Sequence, residues 1–165
     1  ALPSPKEGER DEFVFTNVWF DGLEKLPESS KLNSAFWSQI LLVKTEVNKA
    51  LELARTDKVV GKALEADVKL YATTDLAELI NKLGEELRFL LITSGATVHT
   101  VTEAPKGISA TDLPNLWVSV AASTGTKCER CWHLTDDIGH HETYNDLCGR
   151  CVTNVDGAGE NRTFA

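Results

Sequence analysis

The sequence predicts an α+β fold, in which amphipathic helices pack with a small sheet and a small zinc-ribbon-like module with four cysteines follows. Three observations predict this class. One long segment repeats apolar residues every three or four positions, later segments alternate apolar and polar residues, and all four cysteines lie between positions 128 and 151. The 165 residues are 42% hydrophobic and 25% charged, a balance typical of a globular chain.

The first helix has the clearest pattern. Asn33 or Ser34 is a suitable N-cap for a helix that begins near Ala35 and ends near Asp57. Its period of three to four residues predicts one buried face. The apolar positions on that face are Phe36, Trp37, Ile40, Leu41, Val43, Val47, Leu51 and Ala54.

After Gly61 the apolar period changes from about 3.6 to 2. Residues 64–70 alternate as in a half-buried strand. Asp75, with Glu78 three residues later, opens a second helix that we expect to continue past Gly84 to Leu91.

Shorter segments complete the predicted elements. Residues 97–102 and 117–121 are expected to be strands. Residues 13–20 are aromatic and β-branched, and are expected to form either a short strand or an extended arm. Residues 123–126 (STGT) have the composition of a linker.

These elements predict three parts of the chain. Residues 1–34 are an N-terminal segment that continues from a missing upstream part. Residues 35–123 form the helix-plus-sheet domain, and residues 124–165 form the four-cysteine zinc-binding module and tail.

The charge balance limits the classes of partner. There are 17 Lys and Arg residues against 25 Asp and Glu residues, which gives a net charge of −8 and excludes a general polyanion-binding surface. No apolar run approaches the length of about 20 residues that a bilayer span needs, and the N-terminus has no signal-peptide pattern. We therefore expect a cytoplasmic protein without membrane contact.

The cysteines have the spacing of a metal site. Cys128 and Cys131 form one CxxC pair, and Cys148 and Cys151 form a second pair after sixteen residues. Two such turns supply four thiolates to one tetrahedral Zn²⁺. A four-thiolate shell leaves no position open for water or substrate, so the predicted zinc is single and structural.

Other uses of the cysteines are weaker alternatives. Two disulfides conflict with a cytoplasmic location, an iron centre of the rubredoxin kind takes the same ligands, and unliganded cysteines would leave the paired spacing unexplained. His133, His140 or His141 is near enough in sequence to replace one sulfur.

Basic and aromatic side chains surround the cysteines. Lys127, Arg130 and Arg150 lie beside the two pairs, and Trp132 directly follows Cys131. The planar groups of Arg and Trp can stack on an unpaired RNA base. The alternative is that Trp132 only covers a metal site that is too small to have its own core.

Three sequence segments carry a family resemblance. They are KCERCWH, which contains the first pair, LCGRCVTNV, which contains the second, and the terminal GAGENRTFA. With residues 43–70 and 86–98, they resemble the C-terminal region of bacterial isoleucyl-tRNA synthetases, including its zinc-binding domain.

The resemblance implies a non-catalytic fragment that helps to bind the anticodon end of tRNA(Ile), with Arg130 and Trp132 as the matching contacts. The intact enzyme would ligate isoleucine to tRNA(Ile) with ATP, which binds in a catalytic domain that this chain lacks. No catalytic residue is predicted here. The implied partners are tRNA(Ile) and the remaining domains of the synthetase, and the implied state is a monomer.

The first helix offers a further contact. At 100° per residue, Lys44, Asn48 and Arg55 share one face. Lys44 and Arg55 are therefore candidates for binding the tRNA backbone or another domain. The alternative is a solvated edge with local ion pairs to Glu52 or Asp57.

Two other functions remain open. The CxxC pairs are similar to those of the zinc finger in formamidopyrimidine-DNA glycosylases, which repair DNA. The catalytic Pro-Glu start of those enzymes is absent here, because the chain begins Ala1, Leu2, Pro3. The other alternative is a stand-alone zinc-ribbon module that binds protein only.

Overall fold

The computed structural model describes residues 22–164. Within them, a helix-sheet unit (residues 34–122) is followed by a Cys module (residues 126–164). The predicted α+β class is confirmed. The strand or arm predicted for residues 13–20 lies outside the described residues. In the described part of the chain, no helix has both the length and the apolarity to cross a membrane.

Helix α1 spans Ser34–Thr56 and confirms the first predicted helix. Asn33 is the N-cap, and its side-chain oxygen accepts the backbone N–H of Phe36 at 3.0 Å. The predicted stripe faces the core, although Leu41 is exposed. The buried apolar positions are Phe36, Ile40, Val43, Val47, Leu51 and Ala54.

Strand β1 spans Ala66–Ala72 and has the predicted alternation of buried and accessible side chains. It begins two residues later than predicted, because Ala63–Glu65 forms a 3₁₀ turn. The Glu65 carboxylate stabilises this turn by accepting the backbone N–H groups of Gly61 and Lys62 at 3.0 and 3.2 Å.

The prediction of one helix from Asp75 to Leu91 is wrong. Helix α2 spans Thr74–Asn81, a 3₁₀ turn covers Gly84–Glu86, and helix α3 spans Leu87–Leu91. Gly84 has φ +52°, a left-handed conformation that interrupts the helix and is readily adopted only without a Cβ.

Strands β2 (Gly95–Thr100) and β3 (Leu116–Ala122) confirm the two later predicted strands. They flank β1 in a three-stranded sheet, with β2 parallel and β3 antiparallel to it. In the centre, Leu70 lies opposite Val98 on one side and Val118 on the other.

One apolar core joins the helices to the sheet. Leu70, Ile80 and Leu87 represent β1, α2 and α3 in it, and each is almost completely buried. Around them pack the buried stripe of α1 and the alternate side chains of β1. The helix-sheet unit is therefore held mainly by burial of apolar surface.

The Cys module has little regular structure. Two short strands, β4 (Thr126–Lys127) and β5 (Leu134–Thr135), pair antiparallel. Helix α4 spans Gly149–Asp156 and was not predicted. The expected linker is a close-packed joint, because a Cβ on Gly125 would lie 2.6 Å from the backbone nitrogen of Thr135. The domain boundaries stay a prediction.

Hydrogen bonds at Ser94 and at Glu86 join the Cys module to the helix-sheet unit. The buried Ser94 hydroxyl donates to the carbonyl of Leu64 at 2.5 Å and accepts the N–H of Leu134 at 2.7 Å. In the tail, the carboxylate of Glu86 accepts the backbone N–H groups of Thr163 and Phe164. The module is thus held at both its start and its end.

Candidate metal centre

The structure brings the four cysteines together. Their sulfurs all lie within 4.8 Å of one another, and the Cys131 and Cys148 sulfurs are 3.7 Å apart. A tetrahedron with Zn–S bonds of about 2.3 Å has S–S edges of roughly 3.8 Å. A disulfide needs about 2.05 Å, and all four thiols are free. The donor set therefore fits one tetrahedral metal ion.

Local backbone structure places the first pair. Cys128 follows β4 directly, and its N–H donates to the carbonyl of His133 at 2.9 Å. The N–H of Trp132 donates back to the carbonyl of Cys128, also at 2.9 Å. These two bonds close a tight turn that directs the sulfurs of Cys128 and Cys131 to the same side.

The second pair begins helix α4. Cys148 is the residue preceding the helix, and Cys151 lies in its first turn. The N–H of Cys148 donates to the Cys128 sulfur at 3.4 Å and so links the two pairs. The N–H of Gly149 donates to Asp137 at 2.7 Å, which fixes the start of α4 against the intervening loop.

The metal-free thiols differ in acidity. Burial opposes ionisation of Cys128, but backbone N–H groups, led by that of Cys131, outweigh it and lower the pKa to about 6. Burial raises the pKa of Cys148 to about 12, and the Cys131 charge adds to the effect. A second thiolate thus forms only at a cost beside the first. A divalent cation would remove that cost.

Two arginines provide charge around the sulfurs. Arg130 lies with a guanidinium nitrogen 3.6 Å from the Cys151 sulfur. Burial opposes the charge of Arg150, but hydrogen bonding and attraction to the Cys131 sulfur raise its guanidinium pKa. A Zn²⁺ with four thiolates carries a charge of −2, which two guanidinium groups balance.

No histidine joins the converging group of ligands within residues 22–164. His133 donates through Nδ1 to the carbonyl of Cys131 at 3.2 Å, and its ring meets the Phe89 ring edge-on. Burial, followed by the charge of Arg150, lowers the pKa of His133. The imidazole therefore packs beside the cluster as a neutral ring.

Trp132 lies at the surface of the module. Its side chain is 59% exposed and is absent from the small cluster of buried residues around the cysteines. Its φ of 66° is left-handed, which is unfavourable for a bulky residue. Lys127 lies 5.9 Å from the centre of the indole and forms an ion pair with Glu129 at 3.3 Å.

The other predicted contact residues lie elsewhere. Arg150 is turned inward, with an ion pair to Glu160 at 3.0 Å and its guanidinium 4.9 Å from the centre of the Phe89 ring. Lys44 and Arg55 lie on α1. Arg55 pairs with Glu52 at 2.8 Å, as in the solvated-edge alternative, and Lys44 is half-buried.

Ser94 and Lys62 are site residues that the sequence did not indicate. Ser94 holds the module against the sheet. Lys62 and Trp132 line the same small pocket. Both depend on the approach of residues far apart in the chain, and neither belongs to a motif.

The folded module belongs to the zinc-finger class. A family model described as "Zinc finger found in FPG and IleRS" matches residues 125–154, which include both cysteine pairs. The chain as a whole matches the C-terminal region of isoleucine–tRNA ligases at 51–57% identity over nearly its full length. This confirms the resemblance to the C-terminal region of isoleucyl-tRNA synthetases that was found in the sequence.

Three of the relatives match this chain with similar identity and coverage. The isoleucine–tRNA ligase of Colwellia psychrerythraea is 57% identical over 100% of this chain and 18% of its own length. Those of Pseudoalteromonas atlantica and Vibrio vulnificus are 51% and 52% identical over 95% and 100% of this chain, and 17% of their own lengths. The chain spans about a sixth of the length of these curated relatives.

Proposed function

We propose that this chain is a non-catalytic C-terminal part of an isoleucine–tRNA ligase and helps to bind the anticodon end of tRNA(Ile). The match extends over the helix-sheet unit as well as the zinc finger, which favours this function over that of a repair glycosylase or a free-standing protein-binding module. The parent enzyme would join isoleucine to tRNA(Ile) with ATP in the cytoplasm, as a monomer, with the remaining domains supplying catalysis.

The single observation that carries the RNA-binding proposal is the conformation and exposure of Trp132. A bulky residue in a left-handed conformation costs free energy, and strain of this kind is concentrated at functional sites. The indole is nevertheless left largely in solvent. An exposed, rigidly held aromatic ring is a suitable platform for an unpaired base, at about 1 to 3 kcal/mol per stacked base.

One structural zinc supports that platform. Cys128, Cys131, Cys148 and Cys151 would hold the ion, and their four sulfurs complete its coordination shell. When bound, the metal supplies rigidity and not reactivity. Trp132 follows Cys131 directly, so the metal-held turn sets the direction of the ring.

The basic side chains would have graded roles. Lys127 and Arg130 are exposed near Trp132 and are proposed to contact phosphates. Arg150 belongs to the same set, although its pairing with Glu160 directs it mainly toward the sulfur cluster. Lys44 and Arg55 on α1 would extend the contact to the tRNA backbone or to another domain.

A tRNA titration tests the proposal. Zinc-loaded protein should bind tRNA(Ile) more tightly than the same tRNA with an altered anticodon loop, as measured by fluorescence anisotropy. Trp132→Ala should weaken binding to tRNA(Ile) by about 1 to 3 kcal/mol while zinc stays bound.

Phe164→Ala is the matched control, because it removes another exposed aromatic ring outside the turn that holds Cys128 and Cys131. Equal and negligible binding to both tRNAs would favour a protein-only module. Cleavage of an oxidised-base DNA duplex would favour the glycosylase alternative.

A further inference from the structure

A small pocket lies where the Cys module meets the helix-sheet unit. Its volume is about 160 Å³, of the order of one nucleobase. Both parts of the chain contribute walls. The lining residues are Lys62, Leu64, Glu65, Lys127, Trp132 and Leu134.

The floor of the pocket is apolar and firmly held. Leu64 and Leu134 are half-buried, one before β1 and the other in β5. The hydroxyl of Ser94 is hydrogen-bonded to the backbone of both. Because Ser94 is buried, the two leucines keep a fixed separation, so the floor is preformed.

Two lysines line the pocket, and their positive charge attracts RNA phosphates. Lys62 and Lys127 are both exposed, one from each part of the molecule, and Lys127 also pairs with Glu129. Phosphate recognition here therefore depends on local positive charge, because the chain as a whole has a net charge of −8.

A second groove follows the end of α1 and the turn after it. Its lining includes Arg55 and Lys58, and also Glu52, which forms an ion pair with Arg55 at 2.8 Å. Gly61 lines this groove and immediately precedes Lys62 in the chain. The groove offers room for the nucleotides on one side of an inserted base.

We propose that this pocket binds one unpaired nucleobase of tRNA, stacked on Trp132 above Leu64 and Leu134, with Lys62 on the adjacent phosphate. The inference rests on the proposed function and adds the helix-sheet unit as the second half of the site. A nucleobase in this pocket would stack on the indole, contact the two leucines and place its phosphates near the lysine ammonium groups. An acidic protein segment would use the lysines but not the flat slot.

Glu65 gives the pocket a preference among bases. One of its carboxylate oxygens accepts two backbone N–H groups. Within residues 22–164 the other carboxylate oxygen has no hydrogen-bond donor from the protein, so it can accept an amino group on the edge of a base. Cytosine carries such a group and uracil has a carbonyl at that position, so cytosine should be preferred between these two pyrimidines.

The test compares lysine variants of the zinc-loaded chain in tRNA(Ile) binding. Lys62→Ala should weaken binding and make the slope of log K against log salt shallower by about 0.7, because one phosphate contact is lost. Lys106→Ala is the matched control, since it removes an exposed lysine from the loop before β3. The control should leave both the affinity and the slope unchanged.

Trp132→Ala separates the two proposals. It should weaken tRNA binding by roughly 5- to 150-fold. If Trp132→Ala has this effect and Lys62→Ala behaves like Lys106→Ala, the two-sided pocket is wrong and the RNA-binding function stands. If Trp132→Ala has no effect on measurable tRNA binding, both proposals are wrong.

Base preference is tested with short oligocytidylate and oligouridylate. Both should shift the Trp132 indole N–H and the backbone amides of residues 62–65 in NMR spectra of the wild-type protein, with oligocytidylate binding more tightly. Glu65→Gln should remove the difference. Shifts at Trp132 without any at residues 62–65, or tighter binding of an acidic peptide than of either oligonucleotide, would overturn the inference.

Discussion

The helix-sheet unit and the Cys module are stabilised in opposite ways. The helix-sheet unit buries apolar side chains from three helices and a sheet in one core. The buried residues of the Cys module are cysteines, and among the described non-cysteine apolar side chains only Ile138 and Leu147 pack against them. A region of this size without an apolar core requires another source of stability, and the sulfur cluster is suited to provide it through a metal.

Metal removal should affect the two regions most differently. Chelation, or Cys128→Ser, should unfold residues 127–155 and leave the helix-sheet unit folded, because metal binding to such peptides contributes about 10 to 16 kcal/mol. NMR amide spectra with and without zinc measure the effect. Native chemical-shift dispersion of residues 127–155 in metal-free protein would contradict the zinc assignment.

A cavity in the apolar core should have the converse effect. Leu70 is fully buried in the central strand, so Leu70→Ala should lower the free energy of unfolding by about 2 to 5 kcal/mol without releasing zinc. Urea unfolding and a chromophoric zinc assay provide the two measurements. Leu53→Ala, at a residue 64% exposed, is the control and should change stability by less than about 0.5 kcal/mol.

Loss of the α1 cap should have a smaller effect within the same unit. Asn33→Ala removes the acceptor for the Phe36 N–H and should cost about 1 kcal/mol. Thermal unfolding monitored by circular dichroism would detect it. Asn33→Asp keeps an acceptor and should retain most of the stability, whereas an equal loss in both variants would show that the hydrogen bond is unimportant.

Trp132→Gly should have the smallest effect on stability, and it therefore distinguishes a binding role of Trp132 from a packing role. Glycine adopts a φ of 66° without strain, so relief of about 1 to 2 kcal/mol should offset the lost contacts of a largely exposed ring. The zinc-loaded module should keep its unfolding midpoint and lose tRNA affinity. A large drop in that midpoint would instead show that Trp132 is a packing residue.

The elements that the sequence predicted well are those with strong periodicity. Helix α1 and strand β1 show a clear stripe and a clear alternation, and Asn33 is a good cap. Helix α4 escaped prediction because it has only eight residues and few of them are apolar, and because it is positioned by Cys148 and Cys151. The break at Gly84 was missed because apolar residues continue in register on both sides of it.

The site was predictable only in part, for a similar reason. The cysteine spacing alone indicates convergence, and the structure brings the sulfurs together. The inward turn of Arg150 depends on Glu160 and Phe89, and the pocket beside Trp132 depends on residues 62–65 approaching the module. Such long-range contacts have no signature in local patterns.

The hydroxyl of Ser94, which is bonded to both regions, resists displacement of the Cys module relative to the sheet. One oxygen is bonded to Leu64 ahead of β1 and to Leu134 in β5, so a sideways displacement of the β4–β5 hairpin stretches bonds anchored in a buried residue. A torque on the Cys module is therefore resisted by the sheet. The two hydrogen bonds of Ser94 therefore oppose rotation of the module about the short connection at residues 123–125.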